Sequence, residues 1–182
     1  MLLSRYIHDM YQKINIFDFD GTFFYTPEFW EGKKVWERKK GRVWPYNGWA
    51  SKPESLDMDV FYIPMNPFVY KRYLESVNDK TSFTALVTGR LETLREQVEA
   101  IINANGLEFD MIALNPMKET YRFKTNLFTD LINEYNPEVI TLYDDKYSHM
   151  VKWENQWAPL QKCRVEIINV MKSDKTPKII NN

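Results

Sequence analysis

Residues 13–22 read Lys13-Ile14-Asn15-Ile16-Phe17-Asp18-Phe19-Asp20-Gly21-Thr22. A short apolar run of strand character stops at two carboxylates spaced two apart, and a glycine follows at once. Side chains two apart in an extended chain point the same way, so Asp18 and Asp20 face one spot at the strand's carboxyl end. Gly21 then lets the backbone turn away sharply. Four further apolar runs have the length and composition of buried strands: Phe83–Val87, Phe109–Leu114, Glu138–Tyr143 and Arg164–Val170.

Helical patterns separate these runs. Leu91, Leu94, Val98, Ile101 and Ile102 recur at helical spacing, and Asn105-Gly106 supplies the stop. Leu127, Phe128, Leu131, Ile132 and Tyr135 do the same and end before Pro137. Lys146 to Trp157 is a weaker helical stretch, and Pro67 to Val77 predicts a helix leading into the second strand. Strands alternating with helices predict an α/β fold, doubly wound around a mainly parallel five-stranded sheet. Ligands in such folds collect where strand carboxyl ends meet. Asp18, Thr88 and Asp144 each fall at that end of a predicted strand, so three polar groups from separate strands converge on one crevice.

Between the first two strands lies a long excursion, residues 23–66, rich in Trp, Tyr, Pro and Lys and without a clean period. Unstructured loops of this length are uncommon in compact domains and usually functional. The expected organisation is therefore a core of residues 1–22 and 67–182 with a small cap inserted at 23–66. The polar tail from Met171 onward carries Pro177 and is expected to be mobile.

The 182 residues carry 44% apolar and 27% charged side chains, ordinary values for a soluble globular chain. A net charge of −1 excludes a generally basic nucleic-acid binder, so attraction for anions must come from local charge. Cys163 is the only cysteine, which excludes an intrachain disulfide and a Cys-based zinc site and fits a reducing compartment. The first thirteen residues lack the apolar region and cleavage site of a signal peptide, and nowhere do eighteen apolar residues run together. The expectation is a soluble, cytoplasmic protein with no membrane partner.

An ionised aspartate can attack phosphorus, giving an aspartyl phosphate that water then cleaves. Asp18 is the candidate nucleophile. Asp20 is the candidate general acid and base, giving a proton to the departing oxygen and later taking one from water. Asp144 and Asp145 follow the fourth strand and add two more carboxylates. Like charges ~4 Å apart repel by roughly 4 kcal/mol at an effective dielectric of about 20, so such a cluster calls for a cation. Hard oxygen donors without cysteine or paired histidine favour Mg2+, with Asp18, Asp20, Asp144 and Asp145 as candidate ligands.

Thr88 with Gly89, read as the point where a helix starts, suits a phosphate oxygen; a simple helix cap is the alternative. Lys124, read at the start of the helix before the fourth strand, is the candidate for holding both phosphate and Asp18, with Lys118 as competitor. Asp145 alternatively caps the helix after it. His149, with no second histidine nearby, points to a structural or surface role.

The excursion interleaves Lys33, Lys34, Arg38, Lys39, Lys40 and Arg42 with Trp30, Trp36, Trp44, Tyr46 and Trp49. Basic groups that meet phosphates, together with flat rings that stack on bases, suit single-stranded nucleic acid. The alternative is a solvated helix whose tryptophans pack on the core. Candidate substrate contacts are Trp30, Lys33, Lys34, Trp44, Trp49 and Arg90.

From Lys13 to Val170 these residues resemble the haloacid dehalogenase superfamily of phosphohydrolases. The resemblance rests on Asp18 with Asp20, then Thr88, Lys124, and Asp144-Asp145. Dehalogenases proper lack the second aspartate of the first motif, so Asp20 implies phosphoryl chemistry. Finer detail is similar to the branch called Swiss Army Knife RNA repair-like: Asp18 to Pro27, Gly48-Trp49, Val87 to Arg90, Thr120 to Lys124 and Tyr143 to His149. Departures are Asn115 where the branch tends to have Lys, and Lys146 where it has Arg; they bear on substrate rather than chemistry. The resemblance implies a magnesium-dependent phosphatase, with the backbone carbonyl of Asp20 as a further metal ligand and nucleic-acid 3′-phosphates (RNA or DNA ends) or nucleotides as substrates. No GxxxxGK[ST] loop is present, so a fused kinase of that type is excluded. Phosphotransfer to a small metabolite, as in a mutase, and a non-catalytic RNA- or protein-binding role are the alternatives.

Overall fold

The computed structural model describes residues 11–171 and 175–181. The start of the chain, on which the reading of a leader rests, lies outside them. Among the described residues six strands form one sheet: β1 (Lys13–Phe17), β2 (Ser82–Leu91), β3 (Met111–Asn115), β4 (Val139–Asp144), β5 (Arg164–Asn169) and β6 (Lys178–Ile180). Their order is β3-β2-β1-β4-β5-β6; the first five run parallel and β6 pairs antiparallel with β5. Five α-helices among the described residues accompany them: α1 (Phe29–Lys40), α2 (Pro67–Val77), α3 (Arg95–Ala104), α4 (Thr120–Tyr135) and α5 (Tyr147–Lys152).

The doubly wound parallel sheet matches expectation, with one strand added. Lys178–Ile180 lies in the tail expected to be mobile, but the outer edge of β5 offers unpaired backbone groups, and Val165 to Ile167 take it as a partner. The insertion also holds more regular structure than its sequence predicts. It carries α1, closed by Gly41 at φ 66°, and a short 3-10 turn at Pro53–Leu56. The weak helical stretch from Lys146 is α5, which passes into a wider turn at Trp153–Trp157.

Strand alternation divides the core into two layers. Phe17, Leu86, Tyr143 and Ile168 face one side with Tyr73 of α2, Val98 and Ile101 of α3, and Trp36, Trp44 and Trp49 of the insertion. Ile16, Val87, Leu142 and Ile167 face the other, against Phe128 and Leu131 of α4 and Trp153 and Trp157 after α5. The indole N–H groups of Trp153 and Trp157 donate to Thr125 and Thr129, one turn apart on α4, each at 2.9 Å. Those two bonds fix how α4 lies on the sheet, and hence where Lys124 points.

Register places the site. Phe17 of β1 stands beside Tyr143 of β4, so the next residues, Asp18 and Asp144, emerge side by side. The Asp18 amide extends the pairing, donating to the Tyr143 carbonyl at 3.0 Å. β1 connects onward to β2 on one side while β4 lies on the other, the arrangement that opens a crevice at strand carboxyl ends.

Candidate active site

Carboxylate oxygens of Asp18, Asp144 and Asp145 lie within 4.8 Å of one another. Lys124 reaches into this group, its Nζ 2.8 Å from Asp18 Oδ1 and 2.7 Å from Asp144 Oδ2. Asp18, Asp144 and Lys124 are buried, whereas Asp145 is half-buried. Hard, anionic oxygens converging from the carboxyl ends of two adjacent strands are a donor set that fits a divalent metal ion. One ammonium cannot neutralise three carboxylates, so the charge balance also calls for a cation.

Lys124 sits in the second turn of α4, not at its start. It shares the buried face with Phe128, Leu131 and Ile132, so the apolar stripe of the helix carries the ammonium inward. The helix start is closed by Glu119, whose carboxylate accepts from the Tyr121 and Arg122 amides at 3.0 and 2.8 Å. Lys118 is exposed, and its amide bonds Asn115 Oδ1.

The electrostatics follow from burial. Loss of water raises the Asp18 carboxyl; Lys124 opposes the rise and Asp144 and Asp145 add to it, leaving it at about 8. Asp145 rises to about 6, through burial first and then Asp144. Burial alone would lower Lys124, but Asp144 and Asp18 outweigh it and hold the ammonium above the usual lysine range.

Asp20 turns to a different partner. Its Oδ1 accepts from Arg90 Nη2 at 2.7 Å, Arg90 Nε at 3.1 Å and Thr26 Oγ1 at 2.7 Å, and its Oδ2 from Arg90 Nε at 2.9 Å. Arg90, expected to touch substrate, is buried and committed to this pair. Its parity with Thr88 on β2 aims it at the crevice. Thr88 is fully buried, and its hydroxyl accepts from the Arg90 amide at 3.1 Å.

The chain does not turn into a helix at Gly89. β2 continues through a bulge to Leu91, which pairs with Asn115, and α3 starts only at Arg95. The expected helix N-terminus at Thr88-Gly89 is therefore absent. Gly89 instead lets β2 lie close to α4: a Cβ there would stand 2.9 Å from Thr120 Cγ2. Asp145 does not cap α5 either. Lys146 holds the cap position, and its amide is taken by Asp144 Oδ1 at 2.8 Å.

Gly21 answers two demands at once. Its φ is 66°, and a Cβ would fall 2.4 Å from Asp145 Oδ2. Gly21→Ala is therefore expected to cost about 1–2 kcal/mol from the left-handed backbone, plus whatever Asp145 loses in moving away. Chemical denaturation checks this; stability equal to the wild type would contradict the close approach.

The predicted substrate contacts divide. Trp44 and Trp49 are buried, and so is Trp36. Trp44 Nε1 donates to the Gly48 carbonyl at 3.1 Å and Trp49 Nε1 to the Pro27 carbonyl at 2.8 Å. For these rings the packing alternative holds, because they join the core that covers one face of the sheet. Trp30 is 71% exposed, Lys34 is exposed, and Lys33 is half-buried beside Glu37. His149 is buried between the rings of Tyr121 and Trp153. A separate groove of about 620 Å³, lined by Tyr70, Tyr73, Asp79 and Glu108 among others, opens where β2 begins, away from the carboxylates.

Residues 27–181 match the family model described as HAD domain family 1 in Swiss Army Knife RNA repair proteins. The fold is similar to a solved chain from "Structure of the Pnkp1/Rnl/Hen1 RNA repair complex", at 21% identity and a TM-score of 0.56 over 86% of this chain. It is also similar to one from "Structure of Pnkp1/Rnl/Hen1 complex", at 19% identity and 0.55 over 81%. In both cases the likeness spans 43% of the solved chain. Comparison with curated proteins gives no match. No helix among the described residues is long and apolar enough to cross a membrane. With the family match covering residues 27–181, the chain belongs to the HAD domain family 1 of Swiss Army Knife RNA repair proteins.

Proposed function

We propose that this protein is a magnesium-dependent phosphomonoesterase that works through an aspartyl phosphate on Asp18. The observation that carries the reading is the meeting of Asp18, Asp144 and Asp145 within 4.8 Å, with Lys124 bridging two of them. Asp18, Asp144, Asp145 and the backbone carbonyl of Asp20 would hold the ion. Mg2+ would supply positive charge that lets an anionic nucleophile meet an anionic phosphate.

Lys124 holds Asp18 by Oδ1, which leaves Oδ2 as the attacking oxygen. That oxygen forms a bond to phosphorus as the bond to the leaving oxygen breaks. The leaving oxygen takes its proton from Asp20. Water then attacks phosphorus, its proton passes to Asp20, and the Asp18–phosphorus bond breaks to release phosphate. Thr88, Gly89 and Lys124 bind the phosphoryl oxygens. Entry is from the side of Asp20 and Asp145, the partly exposed members of the group.

Residues 23–66 act as a cap on the core formed by 1–22 and 67–182. Phosphorylated RNA or DNA ends are the proposed substrates, and the cytoplasm the proposed location. The family's description as a domain of RNA repair proteins supports this, as do Trp30, Lys33 and Lys34 on α1. A panel of 3′- and 5′-phosphorylated oligonucleotides, mononucleotides and sugar phosphates, with Mg2+ and with chelator, tests the reading. The expected result is phosphate release from oligonucleotide ends, abolished by chelator. Tight, salt-sensitive oligonucleotide binding without any phosphate release would favour a non-catalytic role instead.

A further inference from the structure

The Arg90 guanidinium is shared between two parts of the chain. Its Nε and Nη2 grip Asp20, while Nη1 points the other way into the insertion. There it donates to the Ala50 carbonyl and to Ser55 Oγ, each at 2.7 Å. A guanidinium is planar and rigid, so fixing one nitrogen fixes the plane in which the other two meet a carboxylate. We propose that Ser55, with the Ala50 carbonyl, is a positioning group for proton transfer: it holds Arg90, and Arg90 holds Asp20 in the orientation that the reaction uses.

The insertion is built to keep these acceptors in place. Ser55 is fully buried, in the 3-10 turn Pro53–Leu56. Its hydroxyl donates to the Lys52 carbonyl at 2.7 Å, which turns an oxygen lone pair toward Arg90. The Lys52 amide bonds the Trp49 carbonyl at 2.9 Å, and the Ser55 amide bonds the Lys52 carbonyl at 3.0 Å, so residues 49–55 form one braced turn. Trp49 anchors that turn. Its ring lies so close to α1 that a Cβ on Gly32 would stand 2.4 Å from Trp49 Cζ2. The buried tryptophan thus has a task other than stacking on substrate: it seats the turn that orients Arg90.

Asp20 itself is about one-third exposed, with a side-chain accessibility of 34% against 3% for Arg90. An exposed carboxylate would sample several rotamers without such a brace. Proton transfer is sensitive to that, because the donor oxygen must lie within hydrogen-bond reach of the leaving oxygen. The insertion therefore contributes to the chemical step through Ser55 and not only to substrate binding.

This inference rests on Asp20 being the proton donor of the proposed phosphatase, and leaving-group dependence tests it. Wild type, Ser55→Ala and Arg90→Lys are compared by kcat/KM on 4-nitrophenyl phosphate and on an unactivated alkyl phosphate. The nitrophenolate departs with little protonation, whereas the alkoxide depends on the donor, and kcat/KM reports the steps through the first transfer. Ser55→Ala leaves the Lys52 carbonyl its bond from the Ser55 amide. It should lower the alkyl value about tenfold or more and the aryl value much less. Arg90→Lys, which keeps the charge but cannot span both partners, should lower the alkyl value further and serves if the Ser55 variant does not fold. Equal losses on both esters, which a simple loss of active protein produces, would overturn the positioning role while leaving the phosphatase reading intact. A wild type inert on both esters and on the oligonucleotide panel would overturn the phosphatase reading, and this role with it.

Discussion

An Asp18→Asn variant is expected to lose at least ~10³-fold in phosphatase kcat/KM, since an amide neither attacks phosphorus nor leaves from it. The same variant should be more stable than the wild type in chelator at neutral and mildly alkaline pH. Asp18 has a folded-state pKa raised to about 8 by burial, against an ordinary value of 3.8. A group raised in this way favours the folded state fully below its ordinary pKa, and that contribution is lost as pH climbs toward the raised value. The wild type therefore sheds stability from Asp18 between about pH 4 and pH 8, and the asparagine variant does not. Thermal melts in chelator should show a gap that widens with pH in favour of the variant, and that narrows when Mg2+ is added. Wild-type turnover by Asp18→Asn would remove the nucleophile assignment. A gap that stays constant from pH 4 to pH 8 would contradict the electrostatic reading of the buried carboxyl.

The second large effect is expected from Lys124→Met. The ammonium is buried and bonds two carboxylates, at 2.8 and 2.7 Å. Removing one member of a buried, hydrogen-bonded ion pair leaves uncompensated charge and typically costs about 3–5 kcal/mol. Methionine keeps most of the volume and the fit among neighbours, so the loss reports charge and not a cavity. Activity should fall by about 10²–10³ as a donor to the developing phosphoryl charge is lost. Mg2+ should restore part of the stability, since it offers the three carboxylates a replacement cation, but not the activity. Denaturation curves with and without Mg2+, read beside phosphate release, separate the two roles. Unchanged stability would show that Lys124 does not carry the charge balance of the cluster.

Much of the site was open to reading along the chain because its geometry is inherited from strand ends. Asp18 and Asp144 terminate two apolar runs, and parallel strands in register bring such ends together without further instruction. Lys124 stands out by its place ahead of the fourth strand, although it lies in the second turn of α4 and not at its start; the stripe it shares with Phe128 is what turns it inward. Arg90 reads along the chain as a substrate contact, whereas the fold pairs it with Asp20. Its partner Asp20 is 70 residues away, and no local pattern links the two. Thr88 and Gly89 read as a helix start because the apolar run ends at Val87 and helical spacing begins at Leu91. The bulge that carries β2 on to Leu91 depends on the neighbouring β3. The tryptophans of the insertion divided in a way their identity does not announce. Indole suits a core or a stacking surface equally well, and only packing around Gly32 and Pro27 sends Trp49 inward while Trp30 stays in water.

Period and punctuation along the chain thus determined the α/β class, the parallel core strands and the acidic residues at their ends, because these follow from alternation, helical stripes and turn chemistry acting over a few residues. The tertiary structure alone decided that Asp20 belongs to Arg90, that Ser55 and Ala50 of the insertion hold that arginine, and that Lys178–Ile180 closes the sheet edge. Those contacts join segments distant in sequence, where the energy of a buried charge or an unpaired strand edge is settled by whichever partner the fold delivers.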